Sequence, residues 1–273
     1  MKTKYKIQIA KIISFFLKFF YEKNQIHIKS KIKWCLDLNE GIDLSIFLFG
    51  TSEKKIDNLK KLFKSNKKLT IIDIGANVGS ISLPLAKIFN KSKIFAIEPT
   101  NYAFKKLTKN LNLNKNLKKN ISLNQLFISK INKPKKVWSS WNFDSDNNKH
   151  KQHLGTLHSI KKKSYISLNN FIKLKKIKKV DFIKLDVDGH ELDVLKSGDK
   201  FLKNNKPIIF IEIAPYLYPE FGYKCSKLIT YIKKLKYSFY TEDLKKIIDI
   251  DSYVKKITNG GSENFYLMKS YKT

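Results

Sequence analysis

Arginine is absent. All 55 basic residues of the 273-residue chain are lysine, so the bidentate guanidinium fork that reads bases and clamps phosphates is missing throughout. The two cysteines, Cys35 and Cys225, stand far apart and unaccompanied. That excludes a disulfide framework and a thiolate metal site, and it makes a reducing compartment, the cytoplasm, the expected setting. Acidic residues are also few: 23 against 55 leave a formal net charge of +32. The lysines are spread along the whole length, as AT-biased coding would spread them. The charge therefore reads first as coding bias on solvated faces, with a general attraction to anionic partners as the alternative, and it argues against a dedicated nucleic-acid reader.

No apolar run reaches the ~20 residues that a bilayer span requires. The strongest candidate, residues 7–21 (IQIAKIISFFLKFFY), is interrupted by Lys11 and Lys18, and no small-residue cleavage site follows it. Placed on a helix, Ile9, Ile12, Ile13, Phe16, Leu17 and Phe20 form one apolar stripe with the lysines beside it. Such a helix either packs on the main domain or lies on a membrane surface, here the inner face, making a peripheral contact through residues 7–21. Disorder is excluded by 42% hydrophobic and 13% aromatic residues.

The remaining pattern has a rhythm. Ile32–Leu38 and Ile42–Phe49 alternate loosely around Asn39-Glu40-Gly41 and predict a β-hairpin. Residues 53–64 then read as a helix. From Leu69 onward, short apolar runs alternate with helical stretches: strands at 69–74, 94–97, 121–128, 180–185 and 208–213, and helices at 80–89, 101–113, 191–197 and 224–235. Strand-like pieces at 237–241 and 264–268 end the chain. Repeated βα units with crossover helices imply an α/β fold with a doubly wound, Rossmann-like sheet. The reading divides the chain into residues 1–44, a basic amphipathic helix and the start of the hairpin, and residues 45–273, the α/β domain. Residues 130–164 break the rhythm with Pro134, Trp138, Trp141, Phe143, Asp144, Asp146 and the histidines 150, 153 and 158. A segment this long and irregular is expected to be a lid or substrate loop. Its aromatics suit a ring-shaped acceptor or an anchor to the core, whereas the histidines, without cysteine, make a poor zinc site.

The sharpest signal is TIIDIGANVGS, residues 70–80. An apolar strand ends in Asp73, and Gly75, Asn77 and Gly79 make a tight loop into a helix. These residue types tolerate positive φ and let a ligand approach the backbone. Nineteen residues past Gly79, the next strand ends in Glu98-Pro99, where a carboxylate can accept both ribose hydroxyls of an adenosine. The loop does not fit the dinucleotide pattern G-x-G-x-x-G, and Asp73 would repel a pyrophosphate. It suits a ligand with an amino group and a sulfonium, which favours S-adenosylmethionine over NAD.

With D-I-G-A-N-V-G (73–79), I-E-P (97–99) and F-I-K-L-D-V-D-G-H-E (182–191) in this order, the sequence resembles the FkbM-type methyltransferases, a branch of the class I S-adenosylmethionine-dependent enzymes. P-I-I-F-I-E-I (207–213) and L-F-G-T-S-E (48–53) add weaker support. The resemblance implies a seven-stranded sheet with an antiparallel final strand and methyl transfer, usually to an oxygen. It assigns the loop Asp73, Gly75, Asn77 and Gly79 to the methionine end of the cofactor and Glu98 to the ribose. Pro84, inside the helix after the loop, departs from expectation, because mid-helix proline costs ~3 kcal/mol unless the helix starts late or kinks.

In the third block Lys184 and Asp186 point the same way along their strand. Asp186 is the candidate base or acceptor-orienting group, Lys184 a stabiliser of the developing oxyanion, and His190 the alternative base unless it faces solvent. Asp188 and Glu191 are spaced as a capping box for the following helix; with Asp186 they also offer hard oxygens to a magnesium ion, although no metal is needed to account for them. The expected function is O-methylation of a sugar, glycan or other small hydroxyl acceptor. An RNA methyltransferase and a cofactor-holding module without turnover are the alternatives.

Overall fold

Apolar runs without alternation predict strands covered on both faces, and the computed structural model builds its main sheet from them; it describes residues 3–17, 19–51, 53–130, 134, 136–142, 150, 155–160 and 164–269. In chain order the elements are α1 (Thr3–Leu17), β1 (Gln25–Lys29), β2 (Ile32–Leu36), α2 (Gly41–Phe49), α3 (Glu53–Leu62), β3 (Thr70–Ile74), α4 (Ser82–Ile88) and β4 (Lys93–Ile97). Next come α5 (Asn101–Leu113), α6 (Lys115–Lys118), β5 (Ile121–Asn124), β6 (Phe127–Ile128), β7 (Lys136–Trp141), β8 (Gly155–Ser159), β9 (Tyr165–Ile166) and α7 (Leu168–Leu174). The chain continues through β10 (Phe182–Leu185), α8 (Glu191–Ser197), α9 (Asp199–Asn205), β11 (Ile208–Ile213), α10 (Cys225–Lys234), β12 (Tyr237–Tyr240), α11 (Ile250–Lys255) and β13 (Glu263–Lys269).

Seven strands form one sheet in the order β12-β13-β11-β10-β3-β4-β5. β13 runs antiparallel to both of its neighbours, and the other neighbours are parallel. Strand order reverses between β3 and β10, the position where open α/β sheets bind ligands beyond their carboxyl ends. Alternate residues of β3 enter opposite cores: Ile72 and Ile74 pack with Phe171, Leu185 and Ile211, while Ile71 packs with Trp34, Phe89 and Phe210. This is the doubly wound α/β architecture, and it gathers Asp73, Glu98 and Lys184 toward the carboxyl ends of three adjacent strands.

Two expectations are corrected. The hairpin lies earlier, between β1 and β2 with Gln25 opposite Leu36, and residues 41–49 are helical. Residues 42–49 are apolar at all but Asp43 and Ser45, so no period stands out and the apparent alternation misleads. The helix is fixed instead by Asp43, fully buried, which accepts from the Asp37 amide at 2.8 Å and pairs with Lys106 of α5. The second correction concerns α1, whose stripe is not buried as a unit. Ala10, Ile13 and Leu17 face the domain, and the Ser14 hydroxyl donates to Asn39 at 3.2 Å. Ile9, Ile12, Phe16 and Phe20 face outward.

Pro84 is accommodated because α4 starts late, at Ser82, which leaves the proline in the first turn, where an N–H has no intrahelical partner. The 121–128 strand breaks in two, with Phe127–Ile128 pairing with Tyr165–Ile166. Within the irregular stretch, β7 and β8 form an antiparallel hairpin; Phe143, Asp144, Asp146 and His153 lie outside the described residues.

Fully buried Asn110 ties the N-terminal hairpin to the loop after β3. Its carbonyl accepts from the Cys35 amide at 2.9 Å, and its amide donates to the Val78 carbonyl at 3.0 Å. Asn110→Leu strands both backbone groups. It should cost ~2–4 kcal/mol by urea denaturation, at ~1–3 kcal/mol for each buried group left unsatisfied; a change below the error of the measurement would show that water replaces the amide.

Candidate active site

The loop after β3 is shaped by close approach. A Cβ on Gly75, whose φ is +80°, would fall 1.8 Å from the carbonyl oxygen of Asp186, so only glycine lets the ends of β3 and β10 converge there. Asn77 takes φ +48°, the left-handed conformation expected from its type. The Gly75 and Ala76 amides both donate to the Ile97 carbonyl, at 3.0 and 2.9 Å, which binds this loop to the end of β4.

Glu98, 5% exposed, belongs to the same construction. Its Oε1 accepts from the amide and hydroxyl of Thr100, at 2.9 and 2.6 Å, and its Oε2 accepts from the Asn77 amide at 3.1 Å. Burial pushes its carboxyl upward against those hydrogen bonds. A carboxylate oxygen accepts two bonds, so Oε2 retains a free lone pair.

One cavity of about 590 Å³ is walled by Gly75, Asn77, Glu98, Lys184, Asp186 and Asp188, together with Glu212 of β11, Tyr216 and Trp138 of β7. Asp73 and Gly79 are not on that wall. Asp73 is fully buried behind the loop, where the Ser82 hydroxyl donates to it at 2.6 Å. Gly79, with φ +92°, is needed for packing, since a Cβ would meet Leu83 and Leu107 within 2.7 Å. The sequence-predicted cofactor residues therefore divide into three that face the cavity and two that hold the loop.

Lys184 is nearly buried. Its ammonium donates to the Gly75 carbonyl at 2.6 Å and lies 3.5 Å from Asp73 and 3.4 Å from Asp186. Burial opposes its charge, but Asp186 and Asp73 together outweigh burial and shift it upward, so it remains a cation. That cation pins the loop to β10. Asp186 is 40% exposed, whereas Asp73 has no exposure, so Asp186 is the carboxylate of this pair that a ligand can reach.

The capping-box reading of Asp188 is not realised. His190 holds the N-cap position of α8 without a side-chain capping bond, and Asp188 instead takes φ +47° and faces the cavity. Glu191 does fold back, onto the two amides that flank Asp188: its Oε1 accepts from Val187 and Gly189 at 3.2 and 3.3 Å, and burial pushes its carboxyl up to about 8. His190 neither faces solvent nor walls the cavity. It is 5% exposed, between the rings of Phe127 and Phe221 at 5.1 and 4.3 Å, and burial lowers its imidazole to about 4. A neutral, ring-enclosed histidine has no path to a reacting hydroxyl in this geometry.

Sequence reasoning missed Glu212. A single acid inside IIFIEI was readable as an anomaly, because a central strand does not carry a charge without a partner. Its Oε1 accepts from Ser262 at 2.7 Å, and burial, then Asp186 and Asp188, raise its carboxyl to about 8. Burial, Asp186 and Glu191 likewise push Asp188 well upward. Oxygens of Asp186, Asp188 and Glu212 lie within 4.8 Å of one another, a set that could hold a divalent cation. The two described histidines of the hairpin region do not gather: His150 bonds Glu220 at 2.6 Å, whereas His158 stacks on Tyr102 at 4.8 Å.

Residues 73–239, more than half of the chain, match the methyltransferase FkbM domain. Among curated proteins, the chain is similar to the tRNA(Phe) (4-demethylwyosine(37)-C(7)) aminocarboxypropyltransferase of Pyrococcus horikoshii, 32% identical over 89 residues, or 33% of this chain and 29% of that protein. The match thus spans less than a third of the relative's length. Similar solved structures include the methyltransferase FkbM of Methylobacillus flagellatus KT, 15% identical with a TM-score of 0.45, covering 82% of this chain and 47% of that one. The precorrin-6y C5,15-methyltransferase of Geobacter metallireducens GS-15 is also 15% identical, with a TM-score of 0.44 and coverage of 82% and 91%. The matched region runs from the Asp73 loop through Glu98 and the Asp186 strand end to β12, and on that ground the chain belongs to the FkbM family of S-adenosylmethionine-dependent methyltransferases.

Proposed function

We propose that the chain methylates a hydroxyl on a sugar, a glycan or another small acceptor. The observation that carries this reading is the meeting of Glu98, the Gly75–Gly79 loop and Asp186 on one cavity wall. The residues suit S-adenosylmethionine: Glu98 Oε2 has a lone pair for a ribose hydroxyl, and the acidic group of Asp186, Asp188 and Glu212 suits a cationic centre. Once bound, the cofactor supplies an electrophilic methyl group on a positively charged sulfur. The chain supplies alignment and a proton acceptor. Glu212, raised by burial to about 8, holds a proton at neutral pH, and burial pushes Asp188 in the same direction; Asp186, the reachable carboxylate paired with Lys184, is left to take the proton from the acceptor hydroxyl. Trp138, on the same cavity wall, is an aromatic available to stack on a sugar.

Glu98→Ala tests the cofactor half. It should weaken S-adenosylhomocysteine binding by ~10–100-fold in calorimetry, the scale of a lost charge-assisted hydrogen bond; unchanged affinity would remove Glu98 from the site. Radiolabelled cofactor incubated with fractionated cell extract tests the acceptor half, with label expected in hydroxyl-bearing glycan.

A second reading, RNA methylation, draws on the net charge of +32 and on the tRNA substrate in the relative's name. The missing arginines weigh against it. Tight, base-selective binding in a gel shift at moderate salt would favour it over the glycan. A peripheral membrane contact through residues 7–21 in a reducing compartment, where Cys35 and Cys225 stay free, completes the proposed setting.

A further inference from the structure

We propose that the outer face of α1 and the exposed end of α2 seat the enzyme on an anionic lipid bilayer, and that the acceptor is carried on a lipid anchored in that bilayer. The acceptor half rests on the hydroxyl-methylation reading; the membrane half does not.

Among the described residues, fourteen large apolar side chains are exposed, and eleven of them fall between Ile9 and Phe49. Scattered exposed apolar residues are ordinary, but a concentration on one segment marks an interaction surface. Phe15, Phe16, Phe19 and Phe20, at 58–79% exposure, form its centre, with edge-to-face ring contacts of 5.8 Å for Phe15–Phe16 and 5.5 Å for Phe15–Phe19. Phe49, 82% exposed, ends α2.

Charge selects the occupant. Residues 1–21 contain Lys2, Lys4, Lys6, Lys11 and Lys18 and not one Asp or Glu, within a chain of net charge +32. A second copy would bring the same lysines against themselves, whereas an anionic leaflet attracts each of them. No helix among the described residues is long and apolar enough to cross a membrane. A segment with an exposed phenylalanine face and five lysines in its sequence therefore lies in the interface plane.

Continuity with the site then identifies the substrate class. Ala10, Leu48 and Phe49 wall the same cavity as Glu98 and Asp186. The apolar surface runs into the mouth of the reaction chamber, so a headgroup anchored in the leaflet reaches Asp186 while its lipid tail stays in the bilayer.

The test is co-sedimentation of the full chain with phosphatidylcholine vesicles and with vesicles containing about 30% phosphatidylglycerol. The wild type should pellet at least ~10-fold more with the anionic vesicles and be released by salt. Phe16→Glu combined with Phe19→Glu, at side chains 59% and 71% exposed, should fall to the phosphatidylcholine level with S-adenosylhomocysteine affinity unchanged. Equal sedimentation of wild type and variant would overturn the membrane face. So would a wild-type dimer in light scattering that the variant dissolves. Radiolabelled cofactor is then offered with the membranes or the soluble fraction of the source cells. Label in chloroform–methanol-extractable material is expected. Label confined to water-soluble compounds would overturn the lipid-anchored acceptor and leave hydroxyl methylation standing. No label in either fraction would sink the hydroxyl reading and the acceptor half with it, while the sedimentation result would still decide the membrane half.

Discussion

Asp186→Asn lowers turnover by ~10²–10⁴-fold, the range for losing a positioned proton acceptor, and leaves S-adenosylhomocysteine binding unchanged. The expectation rests on two facts of geometry. Asp186 is the reachable carboxylate of the Asp73–Lys184–Asp186 chain, and it stands on the cavity wall with the loop and Glu98. Asparagine keeps the shape and can still accept a hydrogen bond from Lys184, so the loop that Lys184 pins through the Gly75 carbonyl should stay in place. S-adenosylhomocysteine lacks the sulfonium charge, so its affinity reports on the loop and on Glu98 without reporting on the acidic group. Turnover and binding should therefore separate. A purely structural Asp186 would move both together and lower the melting temperature as well. Full turnover in the asparagine variant would place the proton acceptor elsewhere.

Sequence makes legible whatever local chemistry forces. The Asp73–Gly79 loop and Glu98 could be read because residues tolerant of positive φ cluster at a strand end and a carboxylate ends the next strand, a spacing that a plain turn does not require. Helix α5 spans the 101–113 that the pattern predicts, and in the structure Thr100 caps its start, accepting from the Ala103 amide. The misreadings share a different cause, since each depends on residues distant in sequence or on a turn whose backbone is set by its surroundings. Residues 41–49 are helical because Asp43 finds Lys106, 63 positions away. His190, which sequence position alone would leave in solvent, is enclosed by Phe127 and Phe221. Asp188 escapes the capping box because the turn at Asp188 and Gly189 takes positive φ at both residues and moves the N-cap position to His190. Glu212 joins Asp186 only because β11 pairs with β10 in register, Ile211 opposite Leu185. Local pattern finds loops and caps, while the acidic group exists only after the sheet has assembled.

That group makes the second large effect one of pH. The carboxyls of Glu212 and Glu191 rise to about 8 in the folded chain, first through burial, against an ordinary value near 4.5. A folded-state value above the unfolded one means that the native protein holds the extra protons. The stability they contribute is fully present below the unfolded value and is lost as pH climbs through about 8. The melting temperature should therefore fall steadily from about pH 5.5 to about pH 8.5, opposite to a protein whose carboxylates are stabilised as anions. Glu212→Gln removes one of the two titrations and keeps an acceptor for Ser262, so the variant should melt several degrees above wild type at the alkaline end and close to it at the acid end. A cationic ligand compensates the same charge. Affinity for S-adenosylmethionine relative to neutral-sulfur S-adenosylhomocysteine should accordingly grow as pH rises through about 8, and less so in Glu212→Gln. Melting curves that run parallel for wild type and variant across this window, with a constant ratio of the two affinities, would mean that Glu212 is ionised throughout and that the acidic group is already neutralised by something other than its own protons.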